Sequence, residues 1–214
     1  METTRIHNKG SKKLFDNRLL EGLTRTPFYV PVSLYYTIGA VTLGYGVFSP
    51  AVHFRSVWWM FPSGMFLFTL VEYFIHRFLF HFEASTPAGE KLKYHIHGVH
   101  HEYPRDKDRL VMPPVMSMVI SGGFLALFRW MFGDSGWLFF GGFVSGYSNY
   151  LMVHYAVHAW RPPSNFLRIL WQHHALHHYS DPEGAFAVSF PLWDHVFGTL
   201  PGARKTRSAA HENS

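Results

Sequence analysis

Histidine is the residue whose number and spacing carry chemistry in this chain: 16 residues of 214, more than the 14 aspartates and glutamates combined. Ten of the 16 fall into four groups. The pattern His76-x4-His81 comes first, then His97-x-x-His100-His101. His154-x3-His158 follows, and His174-x-x-His177-His178 comes last. On a helix, residues three and four apart share a face. Each His-x-x-His-His triplet therefore aims its imidazoles at one place, and His154 and His158 do likewise. His76 and His81 are five apart, about 140° around a helix of 3.6 residues per turn. They converge only if the helix end unwinds, or else they serve different metals. Neutral imidazole is a common ligand of first-row metals. Ten such ligands exceed the needs of one ion and suit two. The chain has no cysteine, which removes disulfides, thiolate-bound zinc, iron–sulfur clusters and thiolate-ligated haem.

The other histidines read as hydrogen-bonded core or surface residues: His7, His53 and His211, and for the most part His95, His173 and His195. A metal-ligating imidazole needs a partner for its second ring nitrogen. Glu72, four residues before His76 and on the same helix face, is one candidate, with an ion pair to Arg77 or another arginine as the equal alternative. Asp194, beside His195, is a second. Asp181, beside Pro182, suits a turn, and the tyrosines of the apolar runs suit packing and interface positions.

The elements that must position these side chains are visible as gaps in the charge pattern. Only 15% of the chain is charged and 48% is hydrophobic, against about a quarter charged in soluble domains. The mean hydropathy of −0.02 averages long uncharged blocks with very polar ones. An apolar helix of roughly 20 residues crosses a bilayer. The runs predict an all-α integral membrane protein with four spans, at residues 27–49, 57–80, 112–132 and 136–158. A soluble bundle would show a polar stripe at helical period, and these runs lack one.

Of the 19 lysines and arginines, 17 fall on one side of such a topology. The positive-inside rule makes that side cytoplasmic, with both termini and the 81–110 connection. All ten histidines then meet in a cytosolic helical cap just below the bilayer. The basic pI near 9.5 is accounted for by topology and anionic lipid, not by nucleic acid. Residues 1–26 read as a cytosolic segment, 27–200 as one membrane-embedded domain and 201–214 as a disordered tail. The N-terminus lacks a signal-peptide core, so the first span is expected to stay as an anchor. A short helix is expected over 165–179 with Ser164 as its cap, and the aromatic stretch 186–198 is expected at the membrane surface.

A histidine-only dimetal site beside a membrane suits oxygen activation by two irons, although zinc would occupy the same imidazoles. The acyl-lipid substrate would enter from the bilayer. Electrons must come from a separate donor such as cytochrome b5 or a ferredoxin. Lys91, Lys93, Arg105 and Lys107 either dock such an acidic carrier or attract lipid.

The four histidine patterns resemble the boxes of the fatty acid hydroxylase/sterol desaturase superfamily. The flanks Glu72-Tyr-Phe-Ile-His76, Arg109-Leu-Val-Met-Pro-Pro114 and Trp193-Asp-His-Val-Phe-Gly-Thr199 narrow the resemblance to fatty acid 2-hydroxylases, over about residues 70–200. The resemblance implies a four-helix membrane body with a cytosolic cap, two metals, and O2-dependent hydroxylation at C2 of a long acyl chain, free or within a sphingolipid or ceramide. Some members carry an N-terminal cytochrome b5 domain. About 26 residues precede the first span here, too few for one, so a separate donor is expected. That and the small size lean towards a bacterial inner membrane over endoplasmic reticulum. The alternatives are a lipid desaturase or a sterol or carotenoid hydroxylase. From other classes come a membrane haem- or metal-binding electron carrier, a zinc transporter and a structural metalloprotein. A haem carrier needs single histidines deep in the bilayer, and a transporter needs ionisable groups at the midplane. Neither matches this pattern.

Overall fold

A chain in a bilayer must close its backbone hydrogen bonds internally, and the uncharged runs do so as helices. The computed structural model describes residues 5–201, which contain helices and no strand. The short α1 (Arg18–Leu23) precedes the long α2 (Tyr29–Phe48) and α3 (Phe54–Phe74), and α3 continues as a π-helix over Ile75–Phe80. After α4 (Pro87–Lys93) come a second π-helix (Tyr94–Gly98) and α5 (Val99–Glu102). The long α6 (Pro114–Phe132) and α7 (Gly136–Ala159) are joined by a 3-10 turn, and α8 (Arg168–Tyr179) and α9 (Leu192–Phe197) complete the order. Three stretches are long and apolar enough to cross a membrane: Tyr29–Phe48, Phe54–Phe80 and Lys107–Ala159, the last holding both α6 and α7. Their outward faces carry large apolar side chains such as Trp58, Val119 and Trp130, as expected where lipid is the neighbour. All but the first residue of the tail expected at 201–214 lies outside the described residues.

The described residues divide into two units. One comprises Lys13–Val71 and Lys107–Tyr155. Its core is aromatic: Tyr35, Phe68, Phe128, Phe139, Phe140 and Phe143 are all buried. Where lipid is the alternative neighbour, such rings stabilise by close packing rather than by removal from water. Helices α3 and α7 approach backbone to backbone. A Cβ on Gly64 would stand 2.1 Å from the Phe139 carbonyl, and one on Gly142 would stand 1.9 Å from that of Phe61. Small residues permit such contact in membrane helices. The Tyr35 hydroxyl donates to Ser117 at 2.9 Å, which satisfies both inside the apolar core.

In the same unit, Asn17 caps α1 by accepting from the Leu19 and Leu20 amides. The Glu21 carboxylate accepts from the amides of Leu14 and Phe15, at 2.9 and 3.1 Å, and pairs with Arg25 and Arg109. Burial pushes its pKa up, but these amides and arginines outweigh burial and bring it to about 2.

The other unit comprises residues 5–12, 72–106 and 156–201. Helix α4 begins at Thr86, whose hydroxyl accepts from the Gly89 amide, with Pro87 in the first turn where its missing N–H is harmless. Helix α8 starts at Arg168, later than the expected 165, and Ser164 is not its cap. Asn165 instead accepts from the Leu167 amide at 3.1 Å, which holds the preceding residues in a turn. The stretch expected to lie on the membrane surface is partly internal. Ala185, Phe186, Ala187 and Val188 are buried, and Phe186 packs on Tyr73. The reason is polar: the backbone of this loop is bound by buried side chains.

Candidate metal centre

Nine of the ten histidines lie in one unit and sit there in two groups of ring nitrogens. The first is His76, His81, His97, His101 and His177. The second is His100, His158, His174 and His178. Within each group the candidate ligand atoms lie within 4.8 Å of one another. His154 stands one turn before His158 on the unbroken α7, in the unit that also holds Leu110. The groups are neighbours, since His101 of the first stacks on His178 of the second with ring centroids 4.3 Å apart.

The helices explain who goes where. At the end of α3 the chain widens to a π-helix, in which the His81 amide donates to the His76 carbonyl five residues back, at 3.2 Å. That widening brings the two rings to one group across a spacing that an α-helix would splay by about 140°. π-turns inside helices are frequent at functional sites. The His-x-x-His-His triplets point into one region but divide within it. His97 and His101, four apart, join the first group and His100 the second, while His177 joins the first and His174 and His178 the second.

Several rings have their second nitrogen held by main-chain carbonyls. His76 Nδ1 lies 2.5 Å from the Phe186 oxygen and His177 Nδ1 lies 2.7 Å from that of Gly184. His154 Nδ1 lies 2.9 Å from the Leu110 oxygen. A carbonyl only accepts, so in each neutral ring the proton is on Nδ1 and the Nε2 lone pair is free for a metal. Burial pushes the His81 pKa down to about 3 and that of His177 to about 4, and it holds His97 and His178 well below the usual value. Neutral rings are the state that binds metals.

The arrangement fits ions. His97 Nε2 is approached by His76 Nε2 at 3.1 Å and by His101 Nε2 at 3.0 Å. A single ring nitrogen cannot serve both by hydrogen bonding, since it carries one proton or one lone pair. His81 and His177 meet through Nε2 at 3.1 Å, and His158 and His174 at 2.7 Å. Ligands at about 2.0–2.1 Å from a shared ion and at right angles are about 3 Å apart. Both ring nitrogens of His178 are buried without a hydrogen-bond partner among the described residues, which an ion at one of them would relieve.

The loop that supplies two of the carbonyls is braced from below. Asp194, fully buried, accepts from the Phe186 and Ala187 amides at 3.0 and 2.8 Å, and from the Thr199 hydroxyl at 2.6 Å. Its Oδ2 also meets His173 Nε2 at 2.9 Å. Glu72 accepts from the Val188 and Ser189 amides at 2.7 and 2.9 Å, and from the Ser189 hydroxyl. Glu72 and Asp194 thus reach His76 and His177 through the loop rather than by gripping either ring. Arg77 donates to the Tyr73 hydroxyl at 2.7 Å. Between the two carbonyls sits Ala185, fully buried with φ of 56°, a left-handed conformation that alanine rarely adopts.

The carbonyls of Gly184, Phe186 and Leu110 had no signature in the sequence, because every residue has one. His173, four residues before His177, reads as an ordinary core histidine, and only the fold brings Asp194 to it.

A model of the family described as fatty acid hydroxylase matches residues 61–199. The chain belongs to the fatty acid hydroxylase family. This family member is 36% identical over 197 residues to a ceramide very long chain fatty acid hydroxylase of Schizosaccharomyces pombe, covering 89% of this chain and 55% of that protein. It is 34% identical over 212 residues to a fatty acid 2-hydroxylase of Homo sapiens, covering 88% and 56%. The hydroxylase family member therefore spans about half the length of these relatives. It also matches the structure of full-length scs7p, of which only the hydroxylase domain is visible. The TM-score is 0.83 at 34% identity, covering 91% of this chain and 74% of that one.

Proposed function

We propose that this chain is a membrane hydroxylase that inserts one oxygen atom of O2 at C2 of a long acyl chain, free or carried in a sphingolipid or ceramide. The observation that carries the reading is the pair of adjacent histidine groups, whose ring nitrogens are spaced as ligands of a common ion. The ligands are His76, His81, His97, His101 and His177 for one ion. For the other they are His100, His154, His158, His174 and His178. Two irons bound there supply the oxidising power to attack an unactivated C–H bond, and zinc fills the same imidazoles without it. The protein's own part is positional. Phe186 and Gly184 fix the tautomers of His76 and His177, Asp194 and Glu72 hold that loop by its amides, and burial keeps the imidazoles neutral and water out.

The relatives named as 2-hydroxylases and a ceramide hydroxylase support the choice of C2. Residues 27–200 form the hydroxylase domain, with four spans at α2, α3, α6 and α7. The placement of 17 of 19 lysines and arginines supports both termini on the cytoplasmic side. Electrons come from outside these 214 residues, from a cytochrome b5 or a ferredoxin, with exposed Lys91 on α4 among the attracting charges.

Expression in a lipid-producing host tests the reading. Wild type is expected to yield 2-hydroxy acyl lipids and His100→Ala none. Acyl chains lighter by two hydrogens would make the protein a desaturase and overturn the proposal.

A further inference from the structure

Beside the second histidine group lies a cavity of about 390 Å³. His158, His174 and His178 stand in its lining, and so do Arg105, Arg161 and Arg168, with Trp171 and Gln172. Trp171 is held in place by donating to the Trp160 carbonyl at 3.1 Å. None of the three guanidinium groups has a hydrogen bond or ion pair among the described residues. All three are exposed at the rim of the cavity, so a ligand that enters it meets their positive charge. The cavity lies within the range of small-molecule sites, about 300–1,000 Å³. A protein partner would need about 800 Å² of surface per side.

Chemistry fixes what the anion is attached to. C2 of an acyl chain is bonded to C1, so a chain that presents C2 to the histidine groups places C1 and its oxygens beside them. The polar end of the substrate then has to lie next to the imidazoles, where this cavity is. Guanidinium pairs bidentately with carboxylate and phosphate, whereas the neutral amide of a ceramide offers it no charge.

We infer that this cavity is the head-group subsite, and that Arg105, Arg161 and Arg168 select an acyl substrate whose polar end is anionic. The anion is the carboxylate of a free fatty acid, whose charge lies on C1 itself. The inference rests on the proposed C2 hydroxylation and names the substrate class for it.

Binding without turnover is the test. The metal-loaded full chain in lipid nanodiscs is titrated with a radiolabelled long-chain fatty acid, its coenzyme A thioester and its methyl ester. The proteins compared are wild type, the Arg161→Gln/Arg168→Gln double variant and Arg55→Gln, a basic residue outside the cavity. The double variant is expected to weaken binding of the anionic ligand about ten-fold or more, with metal content, methyl-ester binding and the Arg55→Gln control unchanged. A loss shown by the free acid supports the inference, and a loss confined to the thioester, whose charge is remote from C1, would overturn it. If the double variant fails to hold its metal, Arg105→Gln is read in its place. Equal binding of acid, thioester and ester by wild type and variant would overturn the inference. So would a loss seen only when a protein donor drives turnover, which would make the cavity a donor surface. Charge-dependent binding without hydroxylation would refute the proposed function and leave the subsite standing. Hydroxylation of ceramide at an unchanged rate by the double variant, with no charge-dependent binding, would do the reverse.

Discussion

His100 and His101 are adjacent in sequence yet serve different groups of imidazoles. Neighbours on a helix point about 100° apart, and α5 lies so that this angle separates the two groups. A motif that reads as one three-pronged ligand is thus a link between two sites.

Metal analysis checks that division. His100→Ala and His101→Ala are each expected to lower the metal content of purified protein by one ion per chain, and the double variant by both. Loss of both ions from either single variant would show that the groups are not independently filled. Retention of both by the double variant would remove these residues from the ligand set.

The loop brace gives a second expectation. Asp194→Ala leaves the buried amides of Phe186 and Ala187, and His173, without their acceptor. The carbonyls behind His76 and His177 lose their fixed position. Metal affinity is expected to fall about 10–100-fold, as for other partners of ligating histidines, measured by competition with a chelator. Glu72→Gln, which weakens the hold on Val188 and Ser189, is expected to act in the same direction. Unchanged affinity in both variants would show that the ligands orient themselves.

Ala185 tests the same loop through the backbone. At φ of 56° it carries a left-handed conformation that disfavours an L-residue by roughly 1–2 kcal/mol. Ala185→Gly is expected to hold or raise the thermal midpoint, and Ala185→Val to lower it and release metal. A valine variant as stable and as metal-rich as wild type would show that the loop has another conformation available.

Glu21 sets an acid limit on stability away from the metals. Its folded pKa of about 2 lies below the ordinary carboxyl value of 4.5, so the unfolded chain binds the proton more tightly. The stabilisation is therefore fully present above the ordinary value and is lost as pH falls towards the folded one. Glu21→Gln is expected to lower the thermal midpoint near neutral pH, and the gap to wild type is expected to narrow on acidification between those values. A constant gap would place the effect of Glu21 in packing rather than charge.

The long helices and the ten histidines were legible because each rests on a repeated local signal: an absence of charge over about twenty residues, or imidazoles at helical spacing. The convergence of His76 and His81 was legible only as a condition, that the helix end unwind, and the π-turn meets it. The remainder depends on contacts distant in sequence. The Phe186 carbonyl reaches His76 across 110 positions, and Glu72 reaches Ser189 across 117. A main-chain acceptor gives no residue-type signal. Helical spacing also says that three imidazoles share a side, but not how that side is divided between the two groups.

Isotope labelling tests the central claim most directly. Iron-loaded protein is supplied with reductant, a long-chain acyl substrate and oxygen gas enriched in the heavy isotope, and the product is read by mass spectrometry. The account predicts a hydroxyl at C2 that carries the heavy label. A C2 hydroxyl that takes its oxygen from water, or oxidation elsewhere along the chain, would contradict it.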